Sequence, residues 1–207
     1  MSMLEPLESE RNSPRQDRAR QTVETFFEAT AQLLERADDG VVTTNHVAER
    51  AGFSIGTLYR YFSGKPSLFK AMALHEMERQ ERDILAALEA TDARSVAEIV
   101  RLVVRPTLRP FEGRPAVRRA LLKAAVKIPG LVQCYEQMVT RITSALVETV
   151  VAKAEDCGRR PSPDAEFIML RGAIGAIRSD VLFGGGRAGT PGFEDALVEM
   201  VSAAFRR

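Results

Sequence analysis

Side chains able to do hydrogen-bonding chemistry crowd into one stretch of the chain, TTNHVAERAGFSIGTLYRYFSGK, from Thr43 to Lys65. Hydroxyls at Thr43, Thr44, Ser54, Thr57, Tyr59 and Tyr61 share it with the carboxamide of Asn45 and the cations Arg60 and Lys65. Hydroxyls and a lysine at helix N-termini suit phosphate, because the free amides and the positive end of the helix dipole favour an anion there. Asn45 offers a donor and an acceptor side by side, the pattern that pairs with adenine, and Thr57 can donate, accept or touch a thymine methyl.

Other constellations fare worse. His46 and His75 are the two histidines, they fall on different helices, and neither has a nucleophile at a catalytic spacing. Cys134 and Cys157 are too few and too far apart for a disulfide framework or a zinc site, which points to a reducing compartment. The run GGGRAGT, Gly184 to Thr190, lacks the lysine of a phosphate loop and follows a helix rather than a strand, so it reads as a connection. No catalytic, cofactor or metal residues emerge, and the chain is read as not an enzyme.

The elements that position the polar stretch follow from apolar spacing. Val23, Phe26, Phe27, Thr30, Leu34 and Ala37 recur at helical intervals, giving a helix over about 15–37 closed by Asp38, Asp39 and Gly40. Thr43 or Thr44 caps a second short helix that Gly52 ends, and Ser54 caps a third that runs to about Phe62. Gly64, Lys65 and Pro66 then open a long helix to about Ala90. This is the anatomy of a helix-turn-helix: Ala48 is small at the crossing, Gly52 makes the turn, and Val47, Leu58 and Phe62 seal the unit against the first helix. Ile55 cannot hydrogen-bond, so it either reads a methyl or packs inward beside Leu58. One of Tyr59 and Tyr61 is expected to pack, and Arg60 between them is either a contact or simply solvated.

The run AGFSIGTLYRYF, followed by Lys65, Leu68 and Phe69, resembles the TetR family of bacterial regulators over about residues 15–70. The resemblance implies phosphate contacts from Thr43 or Thr44, Tyr59 and Lys65, and base contacts from Asn45, Ile55, Gly56, Thr57 and Tyr61, with Ser54 and Arg60 in the same DNA-facing set. Ile55 departs from the polar residue often found at its position in that family. A small-molecule site in the C-terminal part is a further implication.

Beyond Ala90, breakers recur at Pro106, Pro110, Gly113, Pro115, Pro129, Gly130, Gly158, Pro161 and Pro163, and from Gly184 to Gly192, with helical patterns between them. The fold class is therefore all-α, with about nine helices: a flexible arm over 1–14, a helix-turn-helix domain over 15–64 and a ligand-binding and dimerisation domain over 65–207. Arg11, Arg15, Arg18 and Arg20 face only Asp17, so the start of the chain is basic although the net charge is +1. Such an arm can lie along phosphates or remain solvated.

Two stripes mark the helix from about 164 to 183. Phe167, Leu170, Ile174, Ile177 and Val181 form one; Ile168, Gly172, Gly175, Ser179 and Leu182, small in the middle, form another suited to close approach of a second copy. A last helix, about 193–206, carries Phe193, Ala196, Leu197, Met200, Val201, Ala204 and Phe205. These two helices are the expected homodimer surface, a buried monomer core being the other reading. Val100, Leu102, Val103, Phe111, Leu121, Leu122, Tyr135, Met138 and Ile142 either line a pocket or form plain core, while Arg101, Arg105, Arg109 and Arg141 either meet an anionic effector or solvate faces. No signal-peptide h-region opens the sequence and no apolar run is long enough to span a bilayer, so a cytoplasmic setting is expected. Together these readings predict a regulator, a repressor by the resemblance, released from a near-palindromic duplex operator by an unknown small-molecule effector. A helical interaction or architectural module that binds DNA without a specific operator is the alternative.

Overall fold

The computed structural model describes residues 14–36, 42–109 and 113–206. Arg11, the Asp38, Asp39 and Gly40 stop and Phe111 lie outside the described residues, whereas Arg15, Arg18 and Arg20 belong to the first helix, where Arg20 pairs with Glu24 at 3.1 Å. Nine α-helices and one 3-10 turn account for the regular structure of the described residues, which contain no strand. The chain separates into two compact units, Met1–Ser63 and Gly64–Arg207.

In the first unit α1 (Pro14–Arg36), α2 (Thr44–Ala51) and α3 (Ile55–Tyr61) surround the ring of Phe26, which is completely buried. Phe53, Tyr61 and Phe62 place their rings 5.2, 6.2 and 6.1 Å from it, within the range of favourable aromatic pairs. Val47, Ala48 and Leu58 close the same core. Thr30 joins it without a stranded hydroxyl, because its Oγ1 donates to the Phe26 carbonyl at 2.7 Å.

Between α2 and α3 the turn is made by Gly52 at φ 73°, where a side chain would be strained although nothing lies within 4 Å of the missing Cβ. The amides of Gly52 and Phe53 donate to the carbonyls of Glu49 and Ala48, ending α2.

Helices α4 (Lys65–Ala90), α5 (Val96–Leu108), α6 (Pro115–Ala125), α7 (Leu131–Lys153), α8 (Pro163–Phe183) and α9 (Pro191–Ser202) build the second unit, with the 3-10 turn Ala203–Phe205 behind them. Val96, Ile99, Val100, Val103 and Val104 give α5 a buried stripe at i, i+3, i+4, i+7 and i+8, and Ile84, Leu146, Ile177, Val201 and Phe205 meet it in one core. Helix ends are tied down by side chains: Ser95 and Glu98 form a capping box on α5, and the Lys153 ammonium donates to the carbonyls of Glu89 and Thr91 at the end of α4.

Three readings need correction. Pro106 does not break α5, which runs on to Leu108; a proline in the last turn removes one amide from a helix about to end, a small loss. Phe167 leaves the buried stripe of α8, is 60% exposed, and stacks under the Arg171 guanidinium at 4.3 Å. On α9 the buried face is Leu197, Val198, Val201 and Ser202, with Phe205 beyond, so Ala196 and Met200 turn outward. The glycine run is a connection shaped by Asp180, whose carboxylate accepts from the amides of Arg187 and Ala188 at 3.1 and 2.9 Å. A Cβ at Gly185 would collide with that carboxylate.

Because the Phe26 ring is fully buried and packs against Phe53, Tyr61 and Phe62, Phe26→Ala is expected to cost about 3–5 kcal/mol. Urea unfolding followed by circular dichroism should show an early transition corresponding to the first unit.

Candidate nucleic-acid interface and ligand cavity

Helix α3 is seven residues long, and Leu58 is its one fully buried side chain. Everything else on it faces outward or sits at the edge. Ile55 is 36% exposed, so it does not pack inward beside Leu58. Gly56 and Arg60 are exposed, and Arg60 has no hydrogen bond or ion pair among the described residues. The two tyrosines divide: Tyr61 is half-buried with its ring against Phe26 and Phe62, whereas Tyr59 is 52% exposed.

The hydroxyls are arranged in pairs. Ser54 caps α3 by accepting from the Thr57 amide at 3.1 Å, and its Oγ lies 2.9 Å from Thr57 Oγ1. Thr43 caps α2 by accepting from the His46 amide at 3.2 Å. Thr44 Oγ1 and Tyr59 Oη are 3.3 Å apart, linking the start of α2 to α3. In each pair one hydroxyl donates to the other, which leaves one O–H free to donate outward, as an acceptor-only phosphate oxygen requires. Asn45 is exposed at the first turn of α2, beside these hydroxyls in sequence.

Gly56 opens this face. A Cβ there would meet only Ser54 Oγ, at 3.8 Å, so the glycine is not demanded by the fold. Lys65 begins α4 in the second unit, exposed, with its ammonium 5.3 Å from the Phe69 ring.

The second unit holds a cavity of about 120 Å³ between α4, α6, α7 and α8, closed at one side by Thr107 of α5. Met77, Leu121, Leu122, Ile174 and Ile177 make it mainly apolar. Its polar wall is Glu76, Gln80, Arg118, Tyr135 and Arg178. Arg79 pairs with Glu76 at 2.9 Å, and Gln80 Nε2 donates to the Pro106 carbonyl at 3.1 Å. Arg118 donates from Nη1 and Nη2 to the carbonyls of Leu108 and Thr107, both at 3.0 Å, capping the end of α5. Burial holds this guanidinium down at about 10 and pushes the Tyr135 phenol up to about 12, so at neutral pH both still carry their protons.

Leu121, Leu122 and Tyr135 thus line the cavity; Val103, Met138 and Ile142 line a smaller adjoining void, and Val100 is core. Of the four arginines that sequence singled out, Arg101 and Arg105 are bound to Glu194, and Arg141 to Glu81. Those two guanidiniums hold the Glu194 carboxyl below its usual range against the opposing effect of burial. Arg118 and Arg178, which the sequence reading passed over, line the cavity instead. Among the described residues no three His, Cys, Asp or Glu side chains gather as a metal site, and no helix is long and apolar enough to cross a membrane.

A three-helix helix-turn-helix unit followed by a larger helical unit defines the class: an all-α regulator fold with an exposed, polar recognition helix. Residues 26–72 match the family described as bacterial regulatory proteins, tetR family. An uncharacterized HTH-type transcriptional regulator of Mycobacterium tuberculosis, Rv1255c, is 25% identical over 125 residues, 60% of this chain and 61% of the relative. The HTH-type transcriptional repressor KstR of Rhodococcus jostii is 29% identical over 99 residues, 48% of this chain and 45% of its own. A TetR transcriptional regulator from Rhodococcus sp. RHA1 superposes with a TM-score of 0.57 at 22% identity, covering 90% of this chain and 97% of that one. The chain is thus similar to TetR-family transcriptional regulators, the family match itself lying in its helix-turn-helix region.

Replacing a glycine inside a helix by alanine stabilises it by about 0.5–1 kcal/mol where the backbone is ordinary. Gly56→Ala should accordingly raise the midpoint of thermal unfolding while weakening capture of duplex DNA in a mobility-shift assay. A rise in both would show that no partner approaches this glycine closely.

Proposed function

We propose that the protein is a DNA-binding transcriptional repressor of the cytoplasm, with no enzymatic role, released from a near-palindromic operator by a small-molecule effector. The observation that carries this reading is the division of α3: Leu58 seals inward while the hydroxyl, glycine and arginine positions stay available outside. In this reading Thr43, Thr44, Tyr59 and Lys65 hold phosphates, with Ser54 and Arg60 beside them. Asn45, Ile55, Gly56 and Thr57 meet base edges, Ile55 through a thymine methyl. Tyr61 serves mainly by bracing α3 on Phe26, with its hydroxyl edge left for a base.

A second copy of the chain completes the reader. On α8 the stripe of Ile168, Gly172, Gly175 and Ser179 is exposed, and Phe183 and Met200 add 86% and 43% exposed apolar side chains. Stable interfaces bury roughly 1,600 Å² in total, which two helices from each copy can supply. Two such copies would place their recognition helices in successive major grooves, about 34–36 Å apart or a multiple of that spacing. An effector that favours another spacing shifts binding by about 5–150-fold through a coupling of about 1–3 kcal/mol.

Selection of bound fragments from random DNA tests the reading: one enriched palindrome is expected, and uniform capture would favour a module without a specific operator. With that duplex in hand, Tyr59→Phe and Lys65→Ala should weaken binding to every sequence and flatten its salt dependence, whereas Asn45→Ala and Thr57→Ala should change base preference. Equal losses on selected and random DNA for all four would sink the assignment. Since nothing lies within 4 Å of a Cβ at Gly175, Gly175→Trp should leave the helical circular dichroism of the folded chain unchanged yet convert the dimer to monomer in sedimentation velocity.

A further inference from the structure

We propose that the cavity of the second unit takes an amphipathic anion: a compact apolar body of about six to eight carbons with a carboxylate or phosphate head, sized by analogy with apolar cavities that hold a benzene ring. The assignment rests on reading the chain as an effector-released regulator.

The charges in the wall select the head group. Glu76 is occupied by Arg79, so its carboxylate offers a ligand little. Arg178 has no hydrogen bond or ion pair among the described residues and lies 5.8 Å from the Tyr135 ring. Arg118 is held by two neutral carbonyls and by no carboxylate within ion-pair distance among the described residues. Arg118 carries a desolvation cost that an anion relieves and a neutral or cationic ligand does not, and Arg178 adds a second positive charge to the same wall. Tyr135 keeps its proton and so adds a donor rather than a competing charge.

The surroundings point the same way. Arg118 also borders an open cleft of about 640 Å³, where Arg109 and Arg119 stand on the same wall and the carboxylate, Asp180, is already engaged by the amides of Arg187 and Ala188. An anionic head at Arg118 therefore has a cationic exit, while the apolar body lies against Leu121, Leu122, Ile174 and Ile177.

Isothermal titration of the purified full-length protein with octanoate, octyl phosphate, 1-octanol and octylammonium tests this with one chain length and four heads. The anions are expected to bind at least about tenfold more tightly than octanol, as charge-assisted hydrogen bonds require, and octylammonium not at all. Octanoate above octyl phosphate identifies a carboxylate head, the reverse a phosphate, and either supports the class. Arg178→Met should weaken octanoate binding severalfold while leaving octanol binding unchanged, and Arg178→Lys should retain the anion preference. Octanol binding as tightly as octanoate, absence of anion binding, or indifference of octanoate to Arg178→Met would overturn the proposal. Release of the selected duplex is measured separately: octanoate that binds with this selectivity but leaves DNA affinity unchanged defeats the effector reading alone, whereas octanol that binds best and releases DNA defeats the ligand class alone.

Discussion

The burial of Phe26 is the constraint on which the first unit depends. Isolated helices shorter than about 12–15 residues are marginal in water, and α3 falls well below that length. Its shape is therefore imposed by tertiary packing: Leu58 and Phe62 are buried, and Phe53 and Tyr61 lay their rings on Phe26 from either end. Few inward positions suffice because the aromatic core is large. The remaining positions are free to be chosen for what they meet outside, and an exposed glycine can be tolerated in a helix that would not form unaided.

The second unit applies the same logic with the signs reversed, admitting charge to the inside at the end of a helix. α5 stops just after Pro106, and its last carbonyls are left without donors from their own helix. Arg118 meets two of them. A structural cap thereby becomes part of a cavity wall, and its cost in desolvation is what gives the cavity a preference for anions.

Features set by near neighbours in the chain were legible beforehand. Ser54 and Gly52 act within three residues of themselves, and the structure finds both at their expected tasks; Thr43 rather than Thr44 is the cap. The apolar stripe of α1 was equally plain. Rotation about a helix axis was harder: the alternatives for Ile55 and for the two tyrosines turn on the angle at which Leu58 docks, which no local pattern encodes. The arginines were harder still. Arg101 meets Glu194 across more than half of the remaining chain, whereas Arg118 finds only carbonyls, and both read alike as cations on amphipathic helices. On α9 the period was correct and the phase was not, because alanine and methionine are tolerated on either face.

One helix links the two kinds of site that the second unit offers. Along α8, Ile174, Ile177 and Arg178 border the cavity, while Ile168, Gly172, Gly175 and Ser179 occupy the exposed side. The two sets interleave at helical spacing on a rod of 21 residues with continuous backbone hydrogen bonding. Such a rod shifts or rotates as a piece rather than deforming locally, since close-packed side chains exchange between discrete arrangements. A ligand that presses on Ile177 or draws on Arg178 therefore moves the small-residue stripe as well. On the proposed reading, occupancy of the cavity and the packing of a second copy on α8 would be two readings of one displacement, and each would bias the other by the same free energy.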